Sequence, residues 1–207
     1  MLKNLIWDFD GTLYDTYPAM AGAMHKALKD HGYSADYDLI YSKMKVSVGH
    51  CMEYFGSFVD IDDEFTGEYK SIRRELEGRI CHPFPGAVEL LSDIIKAGKK
   101  NYMYTHRDTS LYPLLEKAGM NGLFEDMVIA SDGFPSKPAP DAIEHIVAKH
   151  GLIKCETAMV GDRQIDVDSG INAGVRTIAY CDGSGAEIIN SDFVARDMSE
   201  LRSIILG

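Results

Sequence analysis

Four short polar segments of the chain carry side chains that could do chemistry, and each follows a stretch that is typical of a β-strand. They are Asp8-Phe9-Asp10-Gly11, Thr105-His106-Arg107, Ser136-Lys137-Pro138 and Gly161-Asp162, the last followed by Asp166. In an open parallel sheet, ligands bind outside the carboxyl ends of the strands. The sequence therefore predicts that carboxylates, a hydroxyl group and a lysine from distant parts of the chain meet at one site.

The acids restrict what such a site can do. Asp8, Asp10, Asp162 and Asp166 would crowd one pocket, where close carboxylates cannot all stay ionised without compensation. A hard divalent cation provides that compensation, and all-oxygen ligands favour Mg²⁺. A carboxylate beside a metal, a lysine and a hydroxyl group suits phosphoryl transfer, in which an aspartate can be the nucleophile.

A sheet must hold these segments in place, and the alternation of strand and helix patterns after Gly86 predicts one. Strands that alternate with amphipathic helices form parallel sheets covered by helices on both faces. We therefore expect an α/β fold with a doubly wound, Rossmann-like parallel sheet. The expected strands are Leu2–Trp7, Asn101–Thr105, Met127–Ala130, Thr157–Val160, Val175–Tyr180 and Phe193–Ala195.

Residues 16–82 interrupt the alternation directly after the first strand. Apolar residues such as Met20, Met24 and Leu28 recur there at helical spacing, and no convincing strand pattern appears. We expect a core domain made of residues 1–15 and 83–207, with residues 16–82 inserted as an all-α cap domain that closes over the sheet.

Composition excludes several classes of protein. The 207 residues carry a formal net charge of −11 without a basic stripe, which argues against nucleic acid or an anionic membrane as a partner. The first residues are typical of a strand that ends in acidic residues and not of a signal peptide. No apolar stretch is long enough to span a bilayer. The four widely spaced cysteines fit a reducing compartment, so we expect a cytoplasmic protein.

The motifs also resemble those of a known family. Asp8-Phe9-Asp10-Gly11-Thr12, Thr105, Lys137-Pro138 and Gly161-Asp162 with Asp166 are similar, in order, to the four motifs of the haloacid dehalogenase superfamily. The helical insertion after the first motif resembles the cap of the phosphoglycolate phosphatase and β-phosphoglucomutase branch. The resemblance covers essentially the whole chain and implies a phosphatase with a Rossmann-like core and a helical cap.

By that resemblance, four acids have distinct roles. Asp8 would be the nucleophile that forms an aspartyl-phosphate, and Asp10 the general acid and base. Mg²⁺ would be held by Asp8, the backbone carbonyl of Asp10 and Asp162. Asp166 would lie in the second shell or contact the metal through water.

The resemblance likewise assigns the phosphate-binding residues. Thr105 would hydrogen-bond a phosphoryl oxygen, with Gly11 and the amide of His106 nearby, and Lys137 would bridge Asp8 and the phosphate. Arg107 either contacts the substrate or is a solvated residue at a helix start.

In relatives, the segment Lys43–His50 corresponds to a substrate-selecting loop of the cap. Ser47, Gly49 and His50 are therefore candidate specificity residues. The implied substrate is a small phosphorylated metabolite, such as a phosphoglycolate-like acid, a sugar phosphate or a nucleoside monophosphate. The protein could be a monomer or a homodimer.

Other activities on the same fold remain alternatives. Dehalogenases of the superfamily lack an acid at the position of Asp10, and phosphomutases carry a histidine where this chain has Met20. Phosphonate-cleaving relatives use a cap lysine, for which Lys43 or Lys45 could serve. A non-enzymatic phospho-aspartate switch or an inactive metabolite-binding relative is a further alternative, although both Asp8 and Asp10 are present.

Overall fold

Three segments of the chain form two structural units in a computed structural model, which describes residues 1–183 and 187–207. Met1–Tyr14 and Pro83–Gly207 make up the core unit, and Asp15–His82 make up the helical unit. Asp15, which the sequence analysis assigned to the core, groups with the helices.

The strands and helices are numbered in chain order. The strands are β1 (Asn4–Trp7), β2 (Tyr14–Asp15), β3 (His82–Pro83), β4 (Lys100–Tyr104), β5 (Asp126–Val128), β6 (Thr157–Gly161), β7 (Arg176–Tyr180) and β8 (Phe193–Ala195). The α-helices are α1 (Tyr17–Asp30), α2 (Tyr37–Val46), α3 (Val48–Phe55), α4 (Asp63–Ile80), α5 (Ala87–Lys96), α6 (Leu111–Lys117), α7 (Asp141–His150), α8 (Gln164–Ala173) and α9 (Met198–Leu206). Two short 3₁₀ helices lie at Ala130–Asp132 and Lys154–Glu156.

The core unit is built on a six-stranded sheet in the order β5-β4-β1-β6-β7-β8, and every pair in it is parallel. β1 is a central strand, and it pairs through Asn4 with Lys100 of β4 and with Thr157 of β6. The predicted doubly wound parallel sheet is confirmed. β2 and β3, where the chain passes between the units, pair with each other as a separate two-stranded sheet.

Both faces of β1 are buried, which is why its sequence reads as a continuous apolar run. Ile6 packs in a cluster that includes Ile143 of α7. The neighbouring Trp7 points the other way, and its indole N–H donates to Asn101 Oδ1 at 3.0 Å. Asn101 in turn donates to the carbonyl of Leu91 in α5. Helices therefore cover both faces of the sheet, as the alternating pattern predicted.

The helical unit has its own apolar interior. The helically spaced residues Met20, Met24 and Leu28 of α1 are buried there, together with Phe55 and Phe65. α1 packs against α4 and α2, and α2 packs against α3. The unit is entirely helical between its two connecting strands, as the absence of a strand pattern predicted.

The four cysteines are thiols and form no disulfide bond: Cys51, Cys81, Cys155 and Cys181. Within the described residues, none of the helices combines the length and the apolar composition needed to cross a bilayer.

Candidate active site

The carboxyl ends of β1, β4 and β6 lie side by side and bring three of the predicted segments together. Trp7 is in register with Met103 of β4 and with Val160 of β6. The residues that come next therefore emerge from the same edge of the sheet. Asp8 continues the ladder by donating its N–H to the carbonyl of Val160 at 2.8 Å, and Thr105 does the same to Val128 at 3.0 Å.

Lys137 links two of the predicted acids into a buried network. Its Nζ lies 2.6 Å from Asp8 Oδ1 and 2.7 Å from Asp166 Oδ1. All three side chains are excluded from solvent. Such charges are tolerated only when they are paired and hydrogen-bonded, so the lysine holds the two carboxylates in place as well as neutralising part of their charge.

The pKa values in this network reflect burial and neighbouring charge. Burial, reinforced by the negative charge of Asp166, raises the pKa of Asp8 to about 6 even though Lys137 opposes the shift. Burial would also raise the pKa of Asp166, but Lys137 and Arg163 outweigh it and lower that pKa below its usual range. Burial would lower the pKa of Lys137, yet Asp166 and Asp8 together raise it above its usual range. Lys137 is therefore a permanent cation at this site.

Three carboxylates could contribute oxygen ligands to a cation. Asp8, Asp162 and Asp166 each place an oxygen within 4.8 Å of the other two. Asp8 Oδ2 is buried and has no hydrogen-bond partner in the described part of the chain. A buried oxygen of this kind is costly unless something binds it. The donor set is all oxygen, which fits a hard divalent cation.

Both carboxylate oxygens of Asp166 already have protein donors. Lys137 occupies Oδ1, and the backbone N–H of Arg163 donates to Oδ2 at 3.0 Å. This agrees with a second-shell position. Asp162 accepts a hydrogen bond on its Oδ1 from Thr12 Oγ1 at 3.2 Å.

Gly161 is required by the close approach of Asp166. A Cβ atom at position 161 would lie 2.3 Å from Asp166 Cβ and 2.6 Å from its Oδ2. No side chain larger than hydrogen fits there without displacing the carboxylate that Lys137 holds. Steric exclusion by Asp166 therefore explains why a glycine precedes Asp162 in the sequence motif.

The segment after β4 places Thr105 and Arg107 in different roles. The backbone N–H of Arg107 donates to Thr105 Oγ1 at 3.1 Å, which fixes the hydroxyl oxygen as an acceptor and leaves its hydrogen for another group. The Arg107 side chain is buried and its guanidinium pairs with the Asp10 carboxylate. The sequence analysis did not predict this pair, and its alternative of a solvated Arg107 at a helix start is wrong because the side chain is buried.

His106 and Gly11 make contacts that the sequence did not indicate. His106 Nε2 accepts the backbone N–H of Lys137 at 2.9 Å. His106 is exposed, but partial desolvation of its ring and the positive charges of Lys137 and Arg163 lower its pKa to about 4. Gly11 has a φ of 79° and donates its N–H to the carbonyl of Tyr14, so that donor is engaged in the turn.

The candidate specificity residues lie in the helical unit, and the structure corrects the expected loop. The segment Lys43–His50 is helical except at Ser47, because α2 ends at Val46 and α3 begins at Val48. Ser47 Oγ accepts the backbone N–H of His50 at 2.9 Å and caps α3. Gly49 is exposed and His50 is half-buried.

Comparisons with known proteins show the family of the chain. Residues 5–180 match the model of a family described as haloacid dehalogenase-like hydrolase. A phosphoglycolate phosphatase of Vibrio parahaemolyticus is 29% identical over 99% of this chain and 96% of its own length. The pyrophosphatase PpaX of Bacillus pumilus is 26% identical over 99% of this chain and 96% of its own length.

Among solved structures, a predicted phosphoglycolate phosphatase from Haemophilus somnus shares the fold. It superposes with a TM-score of 0.82 at 21% identity, over 98% of this chain and 97% of its own. This likeness confirms the predicted fold class, and the family match over residues 5–180 confirms the prediction that the protein is an enzyme of the hydrolase type. Because the family model spans most of the sequence, the chain belongs to the haloacid dehalogenase-like hydrolases.

Proposed function

We propose that the protein is a Mg²⁺-dependent phosphatase that hydrolyses a small phosphorylated metabolite through an aspartyl-phosphate on Asp8. The observation that carries this proposal is the state of the Asp8 carboxylate. One oxygen is held by Lys137 at 2.6 Å, and the other is buried without a hydrogen-bond partner in the described residues. A carboxylate that is oriented on one side and open on the other is suited to act as a nucleophile.

The residues of the site fit a magnesium ion. The carboxylates of Asp8 and Asp162 would hold it, together with the backbone carbonyl of Asp10, and Asp166 would keep Lys137 in place beside Asp8. When bound, the ion would neutralise charge on the phosphoryl oxygens.

The reaction then follows from the roles of the side chains. An Asp8 oxygen forms a bond to phosphorus while the ester P–O bond breaks, and Asp10 gives a proton to the departing oxygen. Asp10 next takes a proton from water, whose oxygen attacks phosphorus and breaks the bond to Asp8. Inorganic phosphate leaves and the Asp8 carboxylate is restored.

Two further groups would bind the phosphoryl oxygens. Thr105 has its hydroxyl hydrogen available because its oxygen accepts from the Arg107 amide. Lys137 carries a positive charge beside Asp8 and offsets the repulsion between the carboxylate and an anionic substrate. Hydrolysis is favoured over mutase action because Met20, at the position of the mutase histidine, is a core residue of α1.

The identity of the substrate rests on relatives. The Vibrio relative is named a phosphoglycolate phosphatase and the Bacillus relative a pyrophosphatase. A phosphoglycolate-like ester is the first substrate to test, with pyrophosphate, sugar phosphates and nucleoside monophosphates beside it. Ser47, Gly49 and His50 remain the proposed specificity residues, and a cytoplasmic monomer or homodimer that does not bind nucleic acid or membranes remains the proposed setting.

The test is release of inorganic phosphate from this panel, with Mg²⁺ and with EDTA. We expect metal-dependent release that Asp8→Asn reduces below a few per cent, because that variant has no nucleophile. Asp93→Asn is the matched control, since Asp93 pairs with Lys96 on the surface of α5. Substantial release by folded Asp8→Asn protein, or release unaffected by EDTA, would contradict the proposal.

A further inference from the structure

The contact between Arg107 and Asp10 joins two segments that are far apart in the sequence. Arg107 Nη2 lies 2.5 Å from Asp10 Oδ1, and Nε lies 3.2 Å from Oδ1 and 3.3 Å from Oδ2. The Arg107 side chain is 1% exposed, whereas that of Asp10 is 17% exposed. The carboxylate is therefore held by a buried guanidinium on one side and reaches solvent on the other.

Arg107 is itself fixed in several ways. Its N–H donates to Thr105 Oγ1 at 3.1 Å, and its carbonyl accepts the N–H of Ala130 at 2.9 Å. The guanidinium carbon lies 5.6 Å from the centre of the Phe9 ring, which is fully buried. An arginine that is fixed along its backbone and side chain can set the orientation of a carboxylate, because the planar guanidinium fork presents donors in a fixed geometry.

We propose that Arg107 is the positioning residue of Asp10, and that it holds the carboxylate where it exchanges protons with the leaving oxygen and with water. This inference rests on the proposed function, in which Asp10 is the general acid and base. It also links the two halves of the site, since the backbone of the same arginine fixes the Thr105 hydroxyl. Arg107 thus acts through Asp10, and direct binding of phosphate by its guanidinium is the competing role.

The two roles differ in their dependence on the leaving group. When the ester bond breaks, an alkyl oxygen needs a proton from Asp10, whereas 4-nitrophenolate leaves without one. General acid catalysis contributes roughly 10²–10⁴-fold where it is needed. We expect Arg107→Met to slow single-turnover formation of the phospho-enzyme at least about tenfold more for an alkyl phosphate than for 4-nitrophenyl phosphate.

A double-mutant cycle tests whether the effect passes through Asp10. The single variants Arg107→Met and Asp10→Asn are compared with the double variant on the alkyl phosphate. We expect the double variant to match Asp10→Asn within about twofold, because the residue that Arg107 positions has already lost its function. Arg107→Lys, which keeps the charge but not the fork, should fall between wild type and Arg107→Met.

Three results would overturn the inference. They are equal slowing on both substrates, multiplicative losses in the double variant, and an increase in KM with kcat unchanged, which would identify Arg107 as a phosphate ligand. Arg176→Met is the control for losing an arginine–aspartate pair elsewhere in the core unit, since Arg176 pairs with Asp192. Thermal unfolding of each variant verifies that the compared proteins are folded.

A structural readout separates this inference from the proposed function. Absence of phosphate release by the wild type, or full release by Asp8→Asn, refutes the proposed function without involving Arg107. Crystal structures of wild type and Arg107→Met then decide the inference alone. We expect the Asp10 carboxylate to take a different rotamer without the arginine, and an unmoved carboxylate would overturn the positioning role.

Discussion

The side-chain contacts of the candidate active site span much longer sequence distances than the cap and the buried ion pair of the helical unit. In the core unit, Lys137 pairs with Asp8 across 129 positions, and Arg107 pairs with Asp10 across 97. In the helical unit, Ser47 caps the helix that begins next to it, and the buried Glu77 pairs with Arg73 one turn away. Local partners stabilise a helix wherever it lies, whereas distant partners exist only when the whole sheet is assembled. A site built from distant partners is therefore available only in the folded core.

The largest effect in this comparison is expected from Lys137→Met. The substitution leaves Asp8 and Asp166 buried without their shared cation, which costs roughly 3–5 kcal/mol of unfolding free energy. Phosphate release should fall below detection in the same variant. Urea unfolding at pH 7.5 measures the first effect and phosphate release the second.

Lys149→Met is the matched control for this experiment. Lys149 is half-exposed and lies 2.8 Å from Asp126, and an exposed pair of this kind is worth about 1 kcal/mol or less. If Lys137→Met also changed the free energy of unfolding by less than about 1 kcal/mol, the buried network would not be a stabilising element of the core.

A second effect concerns the pH dependence of the metal-free protein. The pKa of Asp8 is about 6 in the folded chain, against an ordinary value of 3.8. The folded chain holds this proton more tightly than the unfolded chain, so the contribution of Asp8 to stability is fully present below pH 3.8 and is lost as the pH rises to about 6. The loss amounts to roughly 3 kcal/mol.

Asp8→Asn isolates that contribution. In EDTA, the free energy of unfolding of the variant should exceed that of the wild type by a margin that grows between pH 4 and pH 6 and is constant above. Urea unfolding of both proteins across this range measures the margin. A difference that does not change with pH would show that Asp8 titrates normally in the folded chain.

A third, smaller effect distinguishes two glycines. Gly161→Ala forces a methyl group against the Asp166 carboxylate, which should cost about 1–3 kcal/mol and lower kcat by roughly 10²-fold. Gly67→Ala is the matched change in the helical unit, where the new Cβ would meet no atom within 4 Å. It should stabilise α4 by about 0.5–1 kcal/mol. Equal effects on kcat would contradict the contrast between the units.

The smallest effect is expected at the cap of α3. Ser47→Ala removes the acceptor for the His50 amide and should lower the free energy of unfolding by about 1 kcal/mol. In Ser42→Ala, which removes a hydroxyl that donates to the carbonyl of Leu39, the change should stay within about 0.5 kcal/mol. Thermal unfolding compares the two variants. A smaller loss of unfolding free energy in Ser47→Ala than in Ser42→Ala would contradict the capping role of Ser47.

The sequence predicted the strands more closely than the polar contacts. The predicted strand Thr157–Val160 is β6, which extends one residue further to Gly161. β1 is buried on both faces, as its uninterrupted apolar sequence predicted. The convergence of Asp8, Thr105 and Asp162 at one sheet edge followed because parallel strands end on the same side.

The contacts that the sequence did not predict depend on details of side-chain geometry. Nothing in the spacing indicated that Arg107 would turn towards Asp10, or that His106 would accept the Lys137 amide. The loop around Ser47, which the resemblance to relatives implied, was wrong because this chain ends α2 at Val46 and uses Ser47 to cap α3.

The central position of β1 also has a consequence for the order in which the chain can fold during synthesis. Asn4 is translated before both of its partners, Lys100 and Thr157. The helical unit is one continuous segment that is translated completely between Asn4 and Lys100. A nascent chain therefore carries Asp8 next to a strand that has no neighbour until β4 has been translated, and the site of Asp8, Thr105 and Asp162 cannot assemble until β6 has followed.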